Sequence, residues 1–281
     1  MAEQVDHAPN VKFAFQAIVC GIDGSAESLE AVRQALLIGA DDATYWALSA
    51  WDPGITARAR LAGPELADQL REESRSGLRR AQGASPVIRP ILMRGRDVPA
   101  LLAGIANLKA DLVCVGSHGT SRPAGVLFGS VASAITHFAP CSVLVARRPQ
   151  AGEFPGLVIH ANDGSPESLA AARVAGELVA RHGSTVVTLH VGEPPDRSIA
   201  EEAVAIIESC GREPVMKVEQ GSPHRKIVEV ANETSASLIV MGSRGQTGLA
   251  ALGSVSERVA HSADCSVLIV RHTAHPEREE T

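Results

Sequence analysis

Residues 18–28 read IVCGIDGSAES and residues 158–168 read VIHANDGSPES, one strand-to-turn-to-helix signature written twice at an offset of 140. In both, an apolar run breaks at Asp-Gly-Ser, which is turn chemistry. A helical pattern follows, with Leu29, Val32 and Leu36 at i, i+3 and i+7 in the first copy. Two more segment pairs keep the order. DLVCVGSHG at 111–119 answers SLIVMGSRG at 237–245 with an offset of 126, and APCSVLVARR at 139–148 answers ADCSVLIVRH at 263–272 with an offset of 124. Ordered self-similarity of this kind means one structural plan used twice. The shrinking offset places a loss of 14 residues in the middle of the second copy and of two in its glycine loop.

In the first copy, apolar runs predict strands at Ala17–Gly21, Thr44–Trp51, Val87–Met93, Leu112–Val115 and Ser142–Ala146. Helices are expected after the first turn, across Pro64–Ala81, across Pro99–Asn107 and from Ser130 to His137. The second copy predicts strands near 157–161, 185–191, 214–218, 238–241 and 266–270. Almost uniformly apolar strands alternating with helices mean a parallel sheet covered on both faces. The expected fold is therefore α/β, two tandem doubly wound domains at 15–148 and 156–273, each a five-stranded parallel sheet with helices on both faces. A 1–14 extension, a polar linker at 149–155 and a 274–281 tail complete the division.

Composition narrows the function. A net charge of −6 leaves no basic footprint for nucleic acid or an anionic membrane. The five cysteines show no metal-ligand spacing and the histidines no HxxxH or HxH arrangement, so no metal site is expected. No apolar run approaches the roughly 20 residues of a transmembrane helix, and the first residues lack a secretory pattern. A cytoplasmic protein is the expectation.

The chemistry concentrates in two loops. Gly116, Gly119, Gly129 and Ser130 follow the fourth strand of the first copy; Gly242, Gly245, Gly253 and Ser254 follow that of the second. Glycines let backbone N–H groups approach a ligand, and a helix beginning at Ser130 or Ser254 offers unpaired donors and the positive end of its dipole. In a doubly wound sheet such loops lie beyond the carboxyl ends of the strands, where ligands bind. Asp23 and Asp163, after the first strand of each copy, belong to that edge, where a carboxylate can accept from a ribose hydroxyl or an adenine amino group; Asp-Gly is equally a turn former.

With these residues the chain resembles a tandem universal stress protein, over about 15–148 and 156–273. The ATP-binding branch of that family carries G-x2-G-x9-G-[ST], and Gly116, Gly119, Gly129 and Ser130 fit it. The resemblance implies a Rossmann-like, adenine nucleotide α-hydrolase-like fold with ATP as ligand, with or without Mg. By the same carry-over, Gly21, Asp23 and Ala50 would hold adenosine, while Val115, Gly116, Gly119, Gly129, Ser130 and Val131 would cradle ribose and phosphates. The corresponding second set is Ala161, Asp163, Val191, Met241, Gly242, Gly245, Gly253, Ser254 and Val255. There the loop departs from the pattern, with seven residues between Gly245 and Gly253 instead of nine. The family usually pairs through its fifth strand, which implies an internal pseudo-dimer of the two repeats through Ser142–Ala146 and Ser266–Val270, and leaves a homodimer of chains open.

No catalytic residue is assigned. Neither loop carries a lysine, and His118 is answered by Arg244 in the second copy, so hydrolysis is expected to be weak or absent. Two alternatives stand beside a regulatory ATP-binding protein. One is a slow ATPase or related enzyme of the same fold, although the Ser-Gly-Gly loop such enzymes need is missing from IDGSAES. The other is a nucleotide-free protein–protein interaction module. Walker A, GxGxxG and GxSxG patterns are missing, which argues against a P-loop hydrolase, a dinucleotide-dependent dehydrogenase and an α/β-hydrolase.

Overall fold

The structure, a computed structural model, describes residues 15–54, 64–119, 128–149, 153–193, 197–243 and 254–271. The expected 1–14 extension and 274–281 tail, and part of the linker, lie outside them. The first repeat runs β1 (Ala17–Gly21), α1 (Ala26–Ile38), β2 (Thr44–Trp51), α2 (Pro64–Ala84), β3 (Ile88–Arg94), α3 (Asp97–Asn107), β4 (Leu112–Gly116), α4 (Ser130–Phe138) and β5 (Ser142–Ala146). The second runs β6 (Val158–Ala161), α5 (Pro166–His182), β7 (Val186–Val191), α6 (Arg197–Glu208), β8 (Val215–Glu219), α7 (Pro223–Glu233), β9 (Leu238–Gly242), α8 (Ser254–Ser262) and β10 (Ser266–Val270). Every strand expected from the apolar runs is present within one residue at either end, and α2 continues three residues beyond Ala81.

All ten strands join one sheet in the order β3-β2-β1-β4-β5-β10-β9-β6-β7-β8. Pairing is parallel within each repeat and antiparallel where β5 meets β10. At that junction Val143 faces Ile269, Leu144 faces Leu268 and Val145 faces Val267. Because Leu144 and Leu268 hold equivalent places in the repeats, the register is symmetric about them. Both strands are buried along their whole length.

Local chemistry sets the helix starts. Ser25 and Ser165 each cap their helix by accepting a hydrogen bond from the backbone N–H of Ser28 and Ser168, and Pro166 occupies the first turn of α5. On the α1/α5 face one core runs through both repeats, with Ile38, Leu144, Leu178 and Leu268 all in it. Polar groups reinforce the seam. The buried Gln34 side chain donates to the Arg147 carbonyl at 2.7 Å and accepts from the Ser266 hydroxyl at 2.8 Å. From α5, Arg181 donates to the Gly39 carbonyl and pairs with Asp41, while His182 donates to the Leu37 carbonyl at 2.8 Å.

The two cores are not identical. Where the first repeat has Cys20, the second places His160, fully buried on β6. Its Nε2–H donates to the Ser168 carbonyl at 2.9 Å, and Thr188 Oγ1 lies 3.4 Å from Nδ1. Burial lowers its pKa to about 4, outweighing the hydrogen bond to Ser168 and the charge of Asp163. The folded state therefore resists protonation that the unfolded chain accepts near pH 6.5. Folding stability is unaffected by this group above pH 6.5 and falls as pH drops toward 4, by about 3 kcal/mol. Between pH 7 and pH 4, urea unfolding of the wild type is expected to lose about 3 kcal/mol more than that of His160→Cys, which installs the first repeat's residue. Parallel pH profiles of the two proteins would contradict this.

Candidate functional site

The strand order reverses between β1 and β4, the switch point at which a doubly wound sheet opens a crevice beyond its carboxyl ends. A cleft of about 680 Å3 lies there. All nine residues assigned to the first repeat line it: Gly21, Asp23, Ala50, Val115, Gly116, Gly119, Gly129, Ser130 and Val131. One wall is the end of β4, the Gly129 turn and the first turn of α4. Gly129 N–H donates to the Ser117 carbonyl at 2.8 Å, which ties the start of α4 to the end of β4, and Gly129 and Ser130 both line the cavity. The other wall comes from the β1 turn and the ends of β2 and β3, with Trp51 and Met93. Arg71 stands over the Trp51 ring, 4.8 Å from its centroid.

Asp23 serves the turn and the cleft together. Its Oδ1 accepts from the Ser25 N–H at 2.9 Å and from the Ser25 hydroxyl at 2.6 Å, which fixes the start of α1. Its Oδ2 lies directly against Gly119, so that any Cβ at 119 would collide with it. Gly116 has a different reason for lacking a side chain. A Cβ there would come within 2.8 Å of the Glu27 carbonyl carbon and 2.9 Å of the Ser28 nitrogen, in the first turn of α1. Gly242 meets Glu167 and Ser168 of α5 at the same distances. These two glycines let strand and helix approach each other, a role the ligand-access argument did not supply.

Several lining residues were not singled out from the sequence. Asp52, Glu73, Ser74, Asp97 and Leu101 all reach the cleft, as does His118, which the sequence already marks in the glycine loop. Partial burial raises the pKa of Asp97, and the nearby negative charges of Asp23 and Asp52 add to the effect. Its signal was positional, because it follows the carboxyl end of β3 on the ligand edge of the sheet. His118 Nε2 is 3.4 Å from Glu27 Oε1, and its Nδ1 lies 3.0 Å from the Ser117 hydroxyl. Among the described lining residues there is no lysine or arginine.

In the second repeat, Ala161, Val191, Met241 and Gly242 stand at the carboxyl ends of β6, β7 and β9, and Asp163 repeats the turn of Asp23 with bonds of 3.0 and 2.6 Å to Ser165. Ser254 opens α8, Val255 packs half-buried against the core, and Gly245 and Gly253 lie outside the described residues. His190 takes the place of Ser49 on this edge, with Nδ1 3.0 Å from the Asn162 carbonyl and Nε2 2.8 Å from that of Glu193. Asn162 and His190 thus occupy positions that are Ile22 and Ser49 in the first repeat. The cysteines are buried thiols; burial pushes Cys141 up to about 12 and Cys265 up to about 11. Among the described residues no cluster could hold a metal ion, and no helix is long and apolar enough to cross a membrane.

Two doubly wound α/β repeats, with a glycine-closed cleft at the switch point of the first, define a tandem Rossmann-like protein. The family model for the universal stress protein family matches residues 14–147 and 158–271. A universal stress protein of Mycolicibacterium smegmatis is 31% identical, covering 90% of this chain and 96% of its own. One from Mycobacterium tuberculosis is 28% identical over 91% and 96% of the two chains. The crystal structure of a universal stress protein from Archaeoglobus fulgidus shares the fold, with a TM-score of 0.64 at 20% identity over 91% of this chain and 98% of that one. The chain belongs to the universal stress protein family.

Close contact at Gly116 and Gly242 yields a direct test. Gly116→Ala or Gly242→Ala forces a Cβ against rigid helix backbone, and each is expected to cost about 1–3 kcal/mol of stability in urea unfolding. Unchanged stability would mean that the strand ends stand farther from α1 and α5.

Proposed function

We propose that the chain is a regulatory protein that binds adenine nucleotide, ATP above all, at the carboxyl edge of each repeat and hydrolyses it slowly or not at all. The carrying observation is the convergence of all nine first-repeat residues on one cleft of about 680 Å3. Its two walls differ in the way a nucleotide does. Backbone donors of the glycine turn and the α4 N-terminus suit the phosphates. The Asp23 carboxylate, the Ala50 backbone and the Trp51 ring suit a ribose and a purine, whose hydroxyl and amino groups donate.

Slow or absent hydrolysis is supported by what the cleft offers. No described lining residue is a lysine or arginine that would stabilise charge on a transferring phosphoryl group. His118 is turned toward Glu27 and Ser117. A turnover above about 1 s−1, the low end of ordinary enzymes, would overturn this part of the reading.

The deciding experiment counts nucleotide released from the denatured full-length protein by chromatography. About two ATP or ADP per chain is the expected result, and about one would restrict the ligand to the first repeat. None, with no rise in Tm on adding ATP, would leave the alternative of a protein–protein interaction module. Gly119→Glu thrusts a carboxylate against Asp23 and the phosphate wall, and is expected to abolish nucleotide in the first repeat. Because Trp51 lines the cleft, ATP is expected to change the tryptophan emission of the wild type and leave that of Gly119→Glu unchanged.

A further inference from the structure

Antiparallel pairing of β5 with β10 turns the second repeat end over end against the first. The carboxyl edge of one repeat therefore lies beside the amino edge of the other. The last helix of each repeat begins at its own ligand edge and ends at its neighbour's. α8 thus delivers its final turn to the edge where the first cleft opens.

What it delivers is His261. The imidazole stacks on Phe128, with centroids 4.0 Å apart and planes 35° from parallel. Phe128 immediately precedes Gly129 and Ser130, the residues that close the glycine turn and start α4. Arg147 completes the arrangement. Its guanidinium lies 5.8 Å from the Phe128 centroid and donates to the Ala260 carbonyl at 2.5 Å and the Cys265 carbonyl at 3.2 Å. His261 Nε2 is buried without a hydrogen-bond partner among the described residues, so ring contact is the interaction it is seen to make. At the other end of α4, Arg271 donates to the Thr136 carbonyl at 2.6 Å. The helix whose N-terminus faces the first cleft is held at both ends by the second repeat.

We infer that His261 is a positioning residue for the first repeat's site: through Phe128 it presets the Gly129–Ser130 turn that receives the phosphates of a nucleotide. The inference rests on the reading of the cleft given above. Preset geometry spares the ordering cost that binding would otherwise carry. The effect belongs to the phosphate wall, because Asp23, Ala50 and Trp51 are held by β1 and β2 of the first repeat. Loss of the ring contact should therefore weaken ligands that carry phosphates and spare those that do not.

The test titrates full-length wild type, His261→Ala and His261→Phe with ATP and with adenosine. Both tryptophans, Trp46 and Trp51, belong to the first repeat, so their emission reports that site. His261→Ala is expected to weaken ATP about three- to tenfold, the scale of one aromatic pair, and to leave adenosine within about twofold. His261→Phe, which keeps a ring against Phe128, is expected to restore ATP affinity and guards against a variant that simply fails to fold. Equal losses for ATP and adenosine, unchanged ATP affinity in His261→Ala, or no rescue by His261→Phe would each overturn the inference. A wild type that binds neither ligand would overturn the reading of the cleft, and this inference with it.

Discussion

The pairing of β5 with β10 is the constraint on which the rest of the molecule depends. A five-stranded parallel sheet of this topology ends in β5, whose unpaired backbone groups and apolar side chains would otherwise face water. Each repeat supplies the other with the strand that removes this edge, and the symmetric register about Leu144 and Leu268 lets the same sequence do it twice. Two consequences follow. The hydrophobic core on the α1/α5 face becomes continuous across the seam, and the arginines that follow β5 and β10 reach helix carbonyls of the opposite repeat.

Most of this fold could be read from the chain because its signals are local. Buried strands of five to eight residues, such as Thr44–Trp51 and Ser266–Val270, announce themselves as apolar runs. Turns announce themselves through Asp23-Gly24-Ser25 and Asp163-Gly164-Ser165. The glycine motif could be located at the carboxyl edge of the sheet for the same reason, since its spacing is set by one loop and one helix start. Asp23 was placed on that edge by the strand end it follows, and Ala50 by the family resemblance.

What could not be read depends on contacts between residues far apart in sequence. Phe128 and His261 are 133 positions apart and look like ordinary apolar and polar helix-flanking residues until the seam is built. Gly116 was read as making room for a ligand, whereas the nearest obstacle to a side chain is the backbone of Glu27. Asp97 carried no motif, and its raised pKa comes from partial burial together with the charges of Asp23 and Asp52. His160 looked like any residue of a strand, and only its full burial beside Ser168 and Thr188 makes folding stability depend on its protonation.

The antiparallel junction also fixes a property of the whole chain. Since the strands reverse direction between β5 and β10, the two carboxyl edges point opposite ways. The carboxyl edges of the two repeats lie on opposite rims of one continuous sheet. A partner docked over the first cleft leaves the carboxyl edge of the second repeat untouched, and no single flat surface can cover both. The chain is two-faced by topology, and the sheet itself sets how its two carboxyl edges are oriented.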